Sequence, residues 1–295
     1  MTEEKTPEGY VPAPTLDLSK IKNITAAKDT VGEEFAEKVE ANAKKARKAK
    51  FCFTEEHDIE IPTGGLLYQD AEDKDIRSGI VRLQPMSLAD EEIISNQSYA
   101  KNGSTFRHLL NNCVLNNFDV KKFAAYDVYY LLHALRRITY GNDYKFEITC
   151  PDCGKKYEYS MDISQAEFEQ LKPEDNVHSV EKITLPVSKY TIVIKMASLG
   201  DEEEVNRLSK RYEASDVVLG YVARTISILD DKNEPVNPND FVDFFEALPG
   251  RDRAEITKRF EKLDDLKIPI LNVVCPKCGA EEETTIPFNK EFFRY

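Results

Sequence analysis

Two five-residue segments repeat almost letter for letter: Cys150-Pro151-Asp152-Cys153-Gly154 and Cys275-Pro276-Lys277-Cys278-Gly279. In each, a two-residue spacer lets both sulfurs face a single ion. The glycine after the second cysteine allows the backbone to swing its amides toward the sulfurs. Together the turns supply four thiolates, the donor set of tetrahedral zinc with Zn–S bonds of about 2.3 Å. The expected ligands are therefore Cys150, Cys153, Cys275 and Cys278. Four thiolates complete the tetrahedron and leave no position for water or substrate, so the expected Zn2+ is structural. A thioredoxin-like redox pair would need its first thiol at a helix N-terminus, whereas strand-like sequence follows each pair here. Cys153 and Cys275 lie 122 positions apart. A compact zinc ribbon uses a far shorter link, so this metal is expected to staple distant parts of the chain across an insertion.

No other constellation carries chemistry. His57, His108, His133 and His178 are scattered and read as surface or satisfied core residues. Asp230 and Asp231 sit in a polar stretch, Asp230-Asp231-Lys232-Asn233, and read as a solvated turn. There is no Gly-rich phosphate loop and no Ser-His-Asp context, so the chain is expected not to be an enzyme. Cys52 and Cys113 stand outside any pair and read as small buried apolar residues.

The 295 residues suffice for a sizeable core, and the net charge is −13. Such an acidic surface argues against non-specific binding to nucleic acid or anionic membrane. No run approaches the roughly 18 apolar residues of a membrane span. The start, MTEEKTPEGY, lacks the apolar stretch of a secretory signal. Six cysteines in such a chain point to a reducing compartment, where paired thiols hold metal more often than disulfides.

The elements around the knuckles follow from periodicity. Residues 1–26, rich in Pro, Thr, Lys and Glu, read as an extended arm. Residues 31–50 place Phe35, Val39, Ala43 and Ala46 at helical spacing, with Lys44, Lys45, Arg47, Lys48 and Lys50 at the C-terminal end, where cations suit the helix dipole. Short strands joined by a Pro62-Thr63-Gly64-Gly65 turn are expected in 51–86, including one over 76–83. Ser87 with Asp90 reads as a capping box opening a helix. Phe106, Leu109, Leu110 and Val114 mark another helix. A third spans 123–138 and ends near Gly141, with Arg136 and Arg137 complementing its dipole. Strands are expected over 144–149 and 156–161, flanking the first knuckle, and over 270–274 and 284–287, flanking the second. Between them, the pattern predicts a helix over 165–171, a hairpin from 183–185 and 190–196, and helices over 201–211, 216–229, 241–248 and 251–263.

Arg82-Leu83-Gln84-Pro85-Met86 followed by Asp90-Glu91-Glu92, Leu135-Arg136-Arg137-Ile138-Thr139-Tyr140-Gly141 leading into Phe146-Glu147-Ile148-Thr149-Cys150-Pro151, and Ile286-Pro287-Phe288 with Phe292-Phe293-Arg294 form an ordered set. With the two knuckles, it resembles the baseplate hub and hub-assembly proteins of contractile-tailed, T-even-like bacteriophages, from about residue 78 onward. The resemblance implies a virion-assembly or baseplate protein, with other baseplate or hub proteins as partners. It places the protein in the host cytoplasm during assembly and allows for the tail baseplate of the virion.

The fold expected is α+β: an N-terminal arm, helix and short strands (1–75), a helical core (76–149), two halves of a four-cysteine zinc ribbon (150–163 and 270–295) and an inserted α/β region (164–269). The competing function is a zinc-ribbon nucleic-acid-binding protein. Lys155-Lys156 beside the first knuckle favours it, and Glu281-Glu282-Glu283 beside the second opposes it. The aromatics Phe288, Phe292 and Phe293 leave two readings open: packing onto the ribbon, or docking into a neighbouring subunit.

Overall fold

The computed structural model describes residues 55–172, 175, 178–288 and 290–293. The expected arm, the basic helix of residues 31–50 and Cys52 lie outside the described residues.

The fold opens with β1 (His57–Glu60), α1 (Lys74–Arg77) and β2 (Ile80–Leu83), β1 pairing antiparallel with β2. The strand expected over 76–83 is therefore shortened at its start. Asp73 explains why: its carboxylate accepts from the N–H groups of Asp75 and Ile76 and caps a helical turn. Gly79 (φ +78°) then reverses the chain so close to Gly64 that an added Cβ would lie 2.6 Å from the Gly64 backbone. Next come α2 (Leu88–Ser95), α3 (Gln97–Lys101), α4 (Thr105–Cys113) and α5 (Ala125–Tyr140). At the start of α2 the Ser87 N–H donates to Asp90 Oδ2 at 2.8 Å, as the capping-box reading expects.

The α5 helix buries Val128, Leu131, Leu132 and Leu135, the apolar stripe its 3.6-residue period predicts. They pack in one cluster with Val81, Leu83, Leu109, Leu110 and Cys113, and with Tyr144, Ile148, Val273 and Ile286 from the hairpins that carry the knuckles. The knuckles thus stand on the main core. Arg136, expected as a dipole complement, is itself buried and donates to the carbonyls of Gly141 and Asp143 just past the helix end.

Between the two knuckle hairpins runs a region with a second core. Strands β5 (Val180–Thr184), β6 (Thr191–Lys195) and β7 (Thr225–Leu229) form an antiparallel sheet in that order. Helices α6 (Leu199–Ser209), α7 (Asp216–Ala223), α8 (Phe241–Glu246) and α9 (Gly250–Leu263) accompany it. Ile183, Ile192, Ile194 and Ile228 of the sheet pack with Phe241, Phe245, Ile256 and Phe260 of the helices. The helix expected over 216–229 ends at Ala223, and its second half is β7. Three of the five residues in Thr225-Ile226-Ser227-Ile228-Leu229 are β-branched, and the sheet edge offered by β6 captures them. The expected helix over 165–171 is absent apart from a single turn at Ile163–Gln165. This segment instead lays Phe168 against Tyr126, Tyr129, Tyr130 and His133 of α5.

Candidate metal centre

Strands β3 (Asp143–Thr149) and β4 (Lys156–Asp162) form the first knuckle's hairpin, and β8 (Ile270–Val274) and β9 (Glu281–Thr285) the second's. Alternation sets each hairpin's orientation: Tyr144, Phe146 and Ile148 face inward from β3, and Val273 from β8. The two turns close in the same way. The Cys150 N–H donates to the Lys155 carbonyl at 3.0 Å and the Gly154 N–H to the Cys150 carbonyl at 2.9 Å. In the second, the Cys275 N–H donates to Ala280 at 2.8 Å and the Gly279 N–H to Cys275 at 2.9 Å. Gly154 (φ +66°) and Gly279 (φ +77°) occupy the left-handed region, which an L side chain adopts only with strain.

These turns bring together all four cysteines that the spacing singled out. Cys150 Sγ lies 3.7 Å from Cys278 Sγ, and Cys153 Sγ lies 3.9 Å from Cys275 Sγ. All four sulfurs lie within 4.8 Å of one another. Sulfurs bound at about 2.3 Å to one tetrahedral ion sit about 3.8 Å apart, so the cluster has the dimensions of such a site. Each close pair joins one knuckle to the other, so an ion here would bridge the two hairpins.

Cys150 and Cys275 are buried, Cys153 is half-buried and Cys278 is exposed. Burial pushes the Cys275 thiol up, but the backbone N–H groups of Lys277 and Cys278 and the neighbouring thiols outweigh it and bring the pKa down to about 7. For Cys278 the Ala280 N–H pulls downward, yet burial and its three thiol neighbours lift it to about 12. The crowded sulfurs thus push the Cys275 and Cys278 values apart, and a full set of thiolates calls for a cation. Among the described residues, this is the only group of three or more His, Cys, Asp or Glu side chains arranged to hold an ion.

The remaining chemistry-bearing residues are dispersed. His108 is buried beside the Arg107 guanidinium and stacks on Tyr99 with centroids 4.1 Å apart. Burial and the Arg107 charge bring its pKa down to about 4. His133 is buried against Phe168, while His57 is half-buried and His178 exposed. Asp230 Oδ1 accepts from the Lys232 and Glu234 N–H groups in a tight turn, and Cys113 is fully buried. Phe292 and Phe293 are buried in the main core, their ring partners including Tyr144 and Phe106. Self-packing therefore accounts for them, and they are not a tail held out to a partner.

Sequence reading missed a buried carboxylate. Asp127 is fully buried and accepts from the Thr63 hydroxyl at 2.7 Å and the Tyr68 hydroxyl at 2.5 Å. The Tyr68 oxygen in turn accepts from the Ala124 N–H. Burial raises the Asp127 pKa to about 6 despite these donors. The available signal was its position four residues before Leu131, on the apolar stripe of α5.

The class this defines is a mixed helix-and-sheet protein whose four clustered cysteines could hold a metal ion. The family described as T4 bacteriophage base plate protein matches residues 69–294. The chain belongs to that family and is a phage baseplate protein. Neither the curated proteins nor the solved structures contain a match. Among the described residues, no helix is long and apolar enough to cross a membrane.

Proposed function

We propose that this chain is a non-catalytic hub or hub-assembly component of the baseplate, held in its working shape by one structural Zn2+ on Cys150, Cys153, Cys275 and Cys278. The observation that carries the reading is the cross-knuckle cluster, with sulfur separations of 3.7 and 3.9 Å, in a chain of the baseplate family. Thiolate softness and tetrahedral dimensions favour zinc over hard cations, which seek oxygen. The protein's work is then contact with other phage structural proteins, and the metal supplies rigidity. Binding to nucleic acid is the weaker reading: Lys156 and Lys145 pair across the first hairpin with Glu147 and Glu158, and β9 presents Glu281 and Glu283.

Metal analysis of protein purified without added metal is expected to give one zinc per chain, lost in Cys275→Ser/Cys278→Ser. A content near zero, or full zinc in that variant, overturns the metal assignment. Copurification with hub proteins from infected cells tests the role. Recovery with phage proteins outside the baseplate refutes it.

A further inference from the structure

Helices α7 and α9 enclose a surface groove of about 530 Å³, lined by Val217, Gly220, Tyr221, Phe260, Glu261 and Asp265, with Arg224, Thr257 and Asp264 completing it. Its floor is aromatic. The rings of Tyr221 and Phe260 stack with centroids 5.6 Å apart and planes inclined at 20°. The Arg224 guanidinium lies 4.0 Å from the Phe260 ring centroid and pairs with Asp264 at 2.7 Å. The Tyr221 hydroxyl is tied to Thr257 Oγ1 at 2.7 Å. The floor's own polar atoms are therefore satisfied within the fold.

Three further features are not explained by the chain's own packing. Gly220 lies within α7, where glycine is less favourable than alanine by about 1 kcal/mol. Yet a Cβ there would meet no atom within 4 Å, so no neighbour within the fold demands a glycine. Val217, one turn earlier, is 59% exposed. Glu261, in the last turn of α9, and Asp265, just past its end, are exposed, and their side chains make no ion pair or hydrogen bond among the described residues. Since Arg224 pairs with Asp264, the groove is an apolar, aromatic trough with a bare backbone wall and, among the described residues, two unpaired carboxylates on its rim.

We infer that this groove is a docking site for a cationic amphipathic helix of a partner protein. Gly220 admits close backbone approach, Val217, Tyr221 and Phe260 take the apolar face, and Glu261 and Asp265 pair with Lys or Arg at its border. The charge of the rim chooses this occupant over an acidic or purely apolar one. The inference goes beyond the baseplate reading and is independent of the metal.

The test uses the full chain and fluorescence anisotropy at low salt, where rim charges are least screened. The probe is a labelled Leu/Lys amphipathic peptide of about 18 residues, five helical turns, set against its Leu/Glu counterpart. Wild type is expected to prefer the Leu/Lys peptide. Gly220→Phe fills the trough at a position with room for a side chain. Glu261→Lys/Asp265→Lys reverses the rim. Each is expected to weaken binding about tenfold or more, the size of two reversed exposed ion pairs. Glu281→Lys/Glu283→Lys changes net charge equally but on the β8–β9 hairpin, and is expected to bind as wild type does. Absence of binding, preference for the Leu/Glu peptide, or equal weakening by the distal pair overturns the proposal. Should Gly220→Phe misfold, as seen by its melting curve, the rim variant decides alone. Concentration-dependent self-association of wild type that Gly220→Phe abolishes would instead assign the groove to a second copy of this chain.

Discussion

Removing the proposed metal is the perturbation with the most to say about how this chain is held together. Cys153 and Cys275 are 122 residues apart in sequence and 3.9 Å apart at the sulfurs. A metal joining them closes a loop of that length. Closing it costs an unlinked chain about 4 kcal/mol as (3/2)RT ln n, and the chain-entropy treatment of covalent cross-links gives about 5 kcal/mol. The second hairpin also has metal-independent anchors, because Val273, Ile286, Phe292 and Phe293 are buried in the main core. The β5–β6–β7 region has a core of its own. Chelation should therefore leave most helices folded while lowering stability by about 4–5 kcal/mol. At about 2–4 °C per kcal/mol for a unit of this size, the melting midpoint falls by roughly 8–20 °C. Differential scanning calorimetry of zinc-loaded and chelated protein measures it, with residual zinc assayed on the same samples. A midpoint unmoved after verified metal loss would refute the clip. So would complete loss of helical circular dichroism on chelation, since it would make the metal the fold's only support.

Three further outcomes follow from individual side chains. Phe292→Ala removes a fully buried ring and is expected to cost about 4 kcal/mol, read as a large midpoint drop; a midpoint within a degree or two of wild type contradicts self-packing. Asp127 has a folded pKa of about 6 against about 3.9 unfolded, so the native state holds the proton more tightly. Its contribution is present below pH 4 and is lost as pH rises from about 4 to about 6, by roughly 3 kcal/mol; Asp127→Asn should flatten that segment of the stability–pH profile, and an unchanged profile rules the assignment out. Asp252 accepts from the Val187 and Ser188 N–H groups at 2.7 and 2.8 Å. Burial opposes its ionisation, but these donors hold its pKa below the usual value, so its contribution is present at neutral pH and fades as pH falls through the folded pKa. Asp252→Ala should cost about 3 kcal/mol and speed hydrogen exchange at those two amides, with zinc content unaltered; unchanged exchange at both would refute the capping role.

The cysteine cluster was legible because its chemistry is local: a fixed spacer, a glycine and a soft donor type specify each half before any tertiary contact forms. The partnership of the halves was legible from their likeness. Helices with a clear stripe, such as α5, were legible for the same reason, since one period decides both the element and its buried face. What failed was decided at a distance. Residues 225–229 continue the apolar run of α7, and only pairing with β6 makes them a strand. The segment after Ile163 carries helix-forming residues, but packing of Phe168 among the α5 tyrosines holds it open. Asp127 was invisible because its donors, Thr63 and Tyr68, lie 64 and 59 residues away. The fate of Phe292 and Phe293 likewise depended on Phe106 and Tyr144, which no spacing rule connects to them.

The split of the cluster also sets an order in time. A ribosome adding about 5–20 residues per second needs roughly 6–24 s to travel from Cys153 to Cys275. During that interval the first knuckle is a hairpin with two thiols and no partners, and the core it stands on lacks Val273, Ile286, Phe292 and Phe293. The intervening sheet and helices have their own core and can settle meanwhile. A chain arrested anywhere in that region has half a metal site and an open seam in its main core. Capture of the proposed metal would therefore be a late event that only a chain translated through the second knuckle could complete. On the proposed assignment, a filled four-thiol site would then mark a chain translated past Cys278, separating it from one that stopped short of the second knuckle.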